Sequence, residues 1–239
     1  MRKMKEIKRL AGWIKQSDFT VVLTGAGMST ESGLPDFRSK SGWWKSYDPS
    51  ALASVDAMKT NYPLFHEFYC MRIKALKKCQ PHRGHYILAE WEKKGLINSI
   101  ATQNVDGLHR AAGSGNVHEL HGSLRSIRCS VCGRPGTVEG FLNRVDCCSC
   151  GERLRPGVVL FGEMLPQDAW NSALRDMEKA DIVLVIGTSL QVYPANQLPS
   201  LTEGRKVFVN YEVQGTVSGF DMVVKGKAGG VLAELDRML

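Results

Sequence analysis

Two cysteine knuckles are the plainest chemistry in this chain. Cys129 and Cys132 stand in CSVCG, and Cys147, Cys148 and Cys150 stand in CCSCG, with the fourteen residues 133–146 between the knuckles. A tight C-x-x-C turn offers two thiolates, and a pair of such turns supplies the tetrahedral set that zinc prefers. The x-x spacing selects Cys129, Cys132, Cys147 and Cys150 as ligands and leaves Cys148 as a spare thiol, whereas Cys148 with Cys150 would be C-x-C. Four thiolates leave no open coordination position, so one structural Zn2+ is expected rather than a catalytic metal. A disulfide framework fits less well, because nothing in the sequence indicates export. Cys70 and Cys79 are expected to pack in a helical segment.

A second dense stretch is TQNVDGLHRAAGSGNVHELHGS, residues 102–123. Gln103, Asn104 and Asp106 fall where a strand should end and a helix begin. Asp106 suits a helix N-cap, which accounts for one of the three polar residues and not the others. His109, His118 and His121 follow. A neutral imidazole near its ordinary pKa is the natural general base at cellular pH. His121, between the β-like VHEL and Gly122, is the candidate base, and His118 need not share its site because strand side chains alternate.

The third stretch is TGAGMSTESGLPDFR, from Thr24 to Arg38, after the apolar run FTVVL. Gly25 and Gly27 would let the backbone come close to a phosphate. The third glycine of G-x-G-x-x-G is missing, because position 30 is Thr30, and no G-K-[ST] follows. The turn is therefore neither a dehydrogenase fingerprint nor a P-loop. GTSL (187–190) and NYE (210–212) also sit just after apolar runs.

These stretches need elements to hold them. Strand-like runs fall at Thr20–Thr24, Ile97–Thr102, Ile182–Gly187, Lys206–Asn210 and Asp221–Lys225, with helical patterns at Arg83–Lys94, Gln167–Lys179 and Ala228–Leu239. Alternation of strand and helix predicts an α/β fold: a parallel sheet with helices on both faces. In such sheets ligands bind beyond the carboxyl ends of the strands, where the polar, glycine-bearing stretches lie. Ser39 to Gln80 and Cys129 to Arg155 interrupt the alternation and read as insertions forming a smaller lobe. The expected large lobe is 1–38, 81–124 and 156–239, and the small lobe is 39–80, a helical module, with 125–155, a zinc ribbon. Met4, Ile7, Leu10, Ala11 and Ile14 mark an amphipathic first helix.

The 239 residues are 43% hydrophobic, enough for a core, and the net charge of +7 is spread along the chain. No apolar run approaches a membrane span. The basic N-terminus lacks the apolar region and cleavage site of a secretory signal, so a cytoplasmic monomer is expected. Nucleic acid is not an expected partner, since a ribbon that bound it would carry aromatics among its basic residues, and only Phe141 lies between the knuckles.

Taken together, GAGMSTESGLPDFR, TQNVDGLH, HGS, the two knuckles, RPGVVLFGE, GTSLQVYPA and NYE resemble the sirtuins, NAD-dependent protein-lysine deacylases, over essentially the whole chain. The resemblance implies a Rossmann-like large lobe, a small lobe of zinc ribbon and helical module, and a cleft between them for NAD and an acyl-lysine peptide. It implies that Gly25, Ala26, Gly27 and Ser29 lie at the diphosphate, Phe37 covers the nicotinamide end and Arg38 reaches the phosphates. Gln103 would contact the ribose, and Asn104, Val105 and Asp106 the nicotinamide, with Asn104 also catalytic. Gly187, Thr188 and Ser189 would meet phosphate and ribose, and Asn210, Tyr211 and Glu212 the adenosine. The peptide would lie extended between Val159, Leu160, Phe161 and Gly162 on one side and Val192 and Tyr193 on the other. In the implied reaction NAD is consumed. The acyl carbonyl oxygen attacks the ribose carbon as nicotinamide leaves, giving an alkylimidate. His121 takes a proton from the ribose hydroxyls, the activated hydroxyl attacks the imidate, and water yields free lysine and O-acyl-ADP-ribose.

Deacetylation is the expected main activity. Tyr69 and Arg72 share a helix face, and in the branch that removes succinyl and malonyl groups a Tyr-x-x-Arg pair binds the acyl carboxylate beside a small residue, here matched by Ala53. Asp36 and Gly107 depart from that branch, where Thr and an acidic residue are usual. The competing classes are a dehydrogenase, which would want the third glycine, a zinc-ribbon nucleic-acid binder and a mono-ADP-ribosyltransferase.

Overall fold

Runs of β-branched residues flanked by turn formers give the central strands, and amphipathic segments between them give the helices. The computed structural model describes residues 2–36, 49–145, 148–212 and 218–239. In chain order the elements are α1 (Arg2–Gln16), β1 (Thr20–Thr24), α2 (Pro49–Leu52), α3 (Val55–Thr60), α4 (Tyr62–Lys77), α5 (Arg83–Lys93), β2 (Ser99–Thr102), α6 (Leu108–Ala111), β3 (Val117–Glu119), β4 (Gly122–Cys129), β5 (Pro135–Gly136), α7 (Val138–Leu142), β6 (Leu154–Val158), α8 (Gln167–Lys179), β7 (Ile182–Ile186), β8 (Arg205–Asn210), β9 (Met222–Lys225) and α9 (Ala228–Asp236). Short 3-10 turns follow β1 at Ala26–Met28 and Thr30–Ser32, and another precedes β8 at Ala195–Leu201.

Six strands form one parallel sheet in the order β3-β2-β1-β7-β8-β9. Strand side chains alternate between faces, and the two cores divide accordingly. Val22, Ile100, Leu184 and Val207 face α1, α5 and α9, where Leu10, Leu88, Trp91 and Leu232 complete a core. Val21, Leu23, Ala101, Val183, Val185 and Phe208 face Ala173 and Met177 of α8 and Leu198 of the 3-10 turn. All five residues of β1 and of β7 are buried, as a sheet covered on both faces requires.

A separate antiparallel sheet has the order β5-β4-β6. It packs with α4 around a third core of Phe65, Tyr69, Ile73, Ile127, Phe141 and Leu154. α4 begins at Asn61, whose side chain accepts from Leu64 N, and it is tied to the small sheet by polar ends: Tyr62 Oη donates to Leu154 O at 2.7 Å and His66 Nε2 to Phe141 O at 2.7 Å. The Ile97 end of the expected second strand starts later, at Ser99, because Asn98 closes a turn onto Thr20: Asn98 Oδ1 accepts from Thr20 N at 2.8 Å. Among the described residues no helix is long and apolar enough to cross a membrane.

Candidate active site

The chain lays β2 and β3 on one side of β1, and β7, β8 and β9 on the other. The strand order therefore reverses between β1 and β7, and a crevice must open there at their carboxyl ends. Both ends continue into glycine. Gly25 N donates to Ile186 O at 3.1 Å and Gly27 N to Gly187 O at 2.7 Å, so the two turns lie against each other. A Cβ on Gly25 would come within 2.6 Å of Thr188 Cβ, and one on Gly27 within 2.8 Å of Gly187 O. Gly187 also has φ +64, a left-handed conformation that favours glycine. Here the glycines answer a close approach of two backbones. Gln103 Nε2 donates to Thr188 Oγ1 at 3.1 Å, and Asn210 Nδ2 donates to Thr188 O at 3.0 Å, so the ends of β2, β7 and β8 meet at Thr188. Tyr211 and Glu212 are exposed beyond Asn210, and Ser189 is exposed beside Thr188.

Under the first turn lies a buried polar cluster. Ser29 is 2% exposed, and Asn104 and Asp106 are each 6% exposed. Asn104 Nδ2 donates to Gly25 O at 3.0 Å and Ser29 Oγ at 3.2 Å, and Ser29 Oγ donates to Asp106 Oδ2 at 2.7 Å. Asp106 Oδ1 accepts from Leu108 N at 2.9 Å, a local turn bond two residues on; the N-cap of α6 is Gly107, in the left-handed conformation, so Asp106 stands one residue before the cap position expected of it. Burial pushes the Asp106 carboxyl above its ordinary pKa, while the Leu108 and Ser29 hydrogen bonds and the charges of Arg125 and Arg72 pull against it. Ala26, Ser29, Asn104, Val105 and Asp106 line one small cavity with Arg72. Buried amide, hydroxyl and carboxylate groups around such a cavity suit a ligand carrying its own amide. Phe37 and Arg38 lie outside the described residues.

The histidines separate by position. His118 on β3 pairs with Asp176 of α8 at 2.8 Å. His109 lies under the sheet end, with Nε2 donating to Thr24 Oγ1 at 2.9 Å, while Thr24 donates to Thr102 Oγ1 at 2.8 Å. Burial and the charge of His82 push His109 down to about 3, and burial with His109 and His82 pushes His85 down to about 2. Both rings are therefore neutral structural groups. His121 lies in the turn between β3 and β4, and its Nδ1 donates to Gln103 O at 3.0 Å. A carbonyl accepts only from N–H, so Nδ1 carries the proton and Nε2 keeps its lone pair. Burial lowers the His121 pKa and the Gln103 bond raises it in part. The ring is thus a neutral base at cellular pH.

Beyond β6 the chain turns back toward the segment before α3. Val159 N donates to His121 O at 2.9 Å. Leu160 is 1% exposed and belongs to the third core. Phe161 N donates to Ala53 O at 2.8 Å and Val55 N to Phe161 O at 3.1 Å, so both backbone groups of Phe161 are already paired. The Phe161 ring is 52% exposed and Gly162 follows at φ +93. Val192 is half-buried, and Tyr193 is 73% exposed on the separate loop after β7. On α4, Tyr69 is 1% and Arg72 9% exposed, and they hydrogen-bond to each other. Ala53, 7% exposed, lies in the segment that pairs with Phe161.

In the small sheet, Sγ atoms of Cys129, Cys132, Cys148 and Cys150 lie within 4.8 Å of one another. Cys129–Cys150 is 3.5 Å, and Cys132 is 3.6 Å from both Cys148 and Cys150. A tetrahedral zinc with Zn–S near 2.3 Å sets its sulfurs about 3.8 Å apart, so the group fits that ion. Among the described residues Cys148, which spacing left as a spare thiol, is the fourth member of this cluster; Cys147, the fourth ligand expected from spacing, lies outside them.

An α/β fold whose strand order reverses at glycine turns over a small, buried polar cavity, with a four-cysteine cluster in its second sheet, has the organisation of a nucleotide-dependent enzyme. The chain belongs to the Sir2 family, which matches residues 25–194. It is 52% identical to an NAD-dependent protein deacetylase of Oceanobacillus iheyensis over 84% of this chain and 86% of that protein. It is 49% identical to NAD-dependent protein deacetylase 1 of Geobacillus kaustophilus over 96% of this chain and 97% of that one. Among solved structures, a Sir2 variant with a deacetylated p53 peptide and 3'-O-acetyl ADP ribose superposes at TM-score 0.92, with 34% identity over 97% of this chain and 98% of that one.

Proposed function

We propose that this chain is an NAD-dependent protein-lysine deacylase whose main reaction is deacetylation, consuming NAD and releasing nicotinamide, O-acetyl-ADP-ribose and free lysine. The observation that carries the reading is His121, held in one tautomer by Gln103 O with Nε2 free, on the same crevice as the buried Asn104–Ser29–Asp106 cluster. Relatives named as deacetylases, and a Sir2 structure holding both products of deacetylation, support it. NAD would lay its diphosphate along the Gly25–Ser29 and Gly187–Ser189 turns and its nicotinamide amide against Asn104 and Asp106. NAD supplies the ribose carbon that accepts the acyl group. His121 Nε2 would take the ribose hydroxyl proton, while Asn104 and Asp106 orient the leaving amide. Leu160 and Phe161 have spent most of their backbone groups internally, so Val159 C=O and Gly162 are the positions left to bond an extended peptide, with Val192 and Tyr193 facing them.

Cys129, Cys132, Cys148 and Cys150 would hold one structural Zn2+, which ties β4 to the turn before β6. The crevice would separate a large lobe (1–38, 81–124, 156–239) from a small one (39–80, 125–155). The third core supports this division, although it draws in Leu124, Val158 and Leu160 from across it.

A second reading, desuccinylation, is favoured by one observation: the buried Arg72 guanidinium lines the same cavity as Asn104 and Asp106 and bonds Tyr69. The test is mass spectrometry of one lysine peptide in acetyl and succinyl forms, with and without NAD. NAD-dependent loss of acetyl with O-acetyl-ADP-ribose formed is the expected result. Faster loss of succinyl would make Tyr69 and Arg72 the specificity pair, and loss of neither would refute the deacylase reading.

A further inference from the structure

Between β6 and α8 the chain turns sharply through Val158–Glu163, and a side chain from inside β6 holds the turn. Arg155 is 2% exposed, an unusual place for a charge unless it is paired. Its Nη1 donates to Glu163 Oε1 at 2.5 Å and its Nη2 to Glu163 Oε2 at 2.9 Å. Nη2 also donates to Val158 O at 2.5 Å, and Nε donates to Pro156 O at 3.2 Å. Glu163 Oε2 in turn accepts from Leu160 N at 2.8 Å. A bidentate Arg–carboxylate pair fixes direction as well as distance. The pair therefore pins the carbonyl of residue 158 from one side and the amide of residue 160 from the other.

Val159 is the residue between those two pinned groups. Its N–H is used by His121 O, and among the described residues no donor reaches its carbonyl. The turn does not need an ion pair to exist: Gly162 has φ +93 and Glu163 N already donates to Leu160 O at 3.0 Å. What the pair adds is the orientation of the two peptide planes flanking Val159. One plane carries the Val159 carbonyl, an acceptor with no partner among the described residues, and the other carries the bond to the backbone of the candidate base.

We propose that Arg155 and Glu163 are positioning residues for the acyl-lysine peptide. They set the Val159 carbonyl to which a peptide N–H would bond and, through the Val159–His121 bond, the seat of the base. Neither touches peptide or NAD. The proposal rests on the deacylase reading of the crevice and adds a determinant of peptide affinity that lies outside the contacting residues.

Glu163→Gln preserves shape but turns an amide N–H2 toward the guanidinium, and Arg155→Lys keeps the charge but loses the fork. Both are compared with the wild type in zinc-loaded protein. The readouts are peptide KM, NAD KM, kcat, zinc content and direct calorimetric binding of an acetyl-lysine peptide. Loss of a bond to a charged group predicts a rise of about tenfold or more in peptide KM and Kd for Glu163→Gln. Arg155→Lys should fall between it and wild type, with NAD KM and zinc content unchanged in both. Unchanged peptide binding in both variants would overturn the proposal, as would a joint rise in peptide and NAD KM with zinc loss, which marks a general prop of the fold. Wild-type protein that binds the acetyl peptide yet never releases acetyl with NAD would refute the deacylase reading, and the binding comparison would still decide the clamp. Wild-type protein that binds no acyl peptide would overturn both.

Discussion

Replacing Ser29 by Ala removes one hydroxyl from a buried place, and the consequence should be read in pH rather than in rate alone. Ser29 Oγ donates to Asp106 Oδ2 at 2.7 Å and accepts from Asn104 Nδ2 at 3.2 Å. Burial already holds the Asp106 carboxyl above its ordinary pKa, and the Ser29 bond is one of the interactions opposing that rise. A hydrogen bond to a charged group favours the charged form, so its loss should lift the Asp106 pKa further. If ionised Asp106 receives the nicotinamide amide, the acid limb of kcat/KM for NAD must move up with it. The sign for stability follows. A carboxyl raised in the folded state destabilises the fold when ionised, so the contribution it makes is present below the unfolded pKa and is lost as pH rises through the folded one. The Tm deficit of Ser29→Ala against wild type should therefore be largest near neutrality and shrink on acidification. The assay is kcat/KM for NAD from about pH 5 to about pH 8, with melting curves in the same buffers. A uniform loss at every pH with the acid limb unmoved would refute the reasoning, and Ser29 would then act on the ligand alone.

His121→Ala should lower kcat by about 10²–10⁴, the usual contribution of a general base, with peptide Kd nearly unchanged. In the wild type, rate should fall only as pH drops through the lowered His121 pKa, so activity should persist below the range of an exposed imidazole, as a pH profile at saturating peptide would reveal. Gly27→Ala places a Cβ 2.8 Å from Gly187 O and 2.9 Å from Gly187 Cα. Two backbones must part, costing about 1–3 kcal/mol in stability, and NAD KM should rise in steady-state assays. Cys148→Ser should bring bound zinc well below one per chain by elemental analysis, while Cys147→Ser should retain it; the reverse result would return the fourth ligand to Cys147.

Local pattern makes much of this protein legible in its sequence. Strand β1 falls on its expected residues, and β7, β8 and β9 within one residue of theirs, because β-branched runs between turn formers need no distant partner to be recognised. The parallel α/β class followed from alternation, and the crevice from the rule that ligands sit at carboxyl ends of strands. The antiparallel β4 and β6 are not legible in the sequence, since GSLRSIRC and LRPGV lack a clean alternation of apolar residues and their pairing carries an irregularity between Ser123 and Ile127.

What the sequence by itself determined is the inventory: which residue types stand at which strand end, two thiol knuckles, and the motifs that join the chain to its family. Only the tertiary structure decided who meets whom. Gly27 finds Gly187, 160 positions further along the chain, because β1 and β7 are neighbours, and nothing local states that neighbourhood. His109 and His121 are both histidines in one stretch, yet one is buried beneath Thr24 and the other is only partly buried, with Gln103 fixing its tautomer. The Arg155–Glu163 pair reads as two charges flanking an apolar run until the turn folds one onto the other. Secondary structure is set largely by short-range sterics and hydrophobic period, whereas a site depends on the direction of each side chain after non-local packing has closed the core.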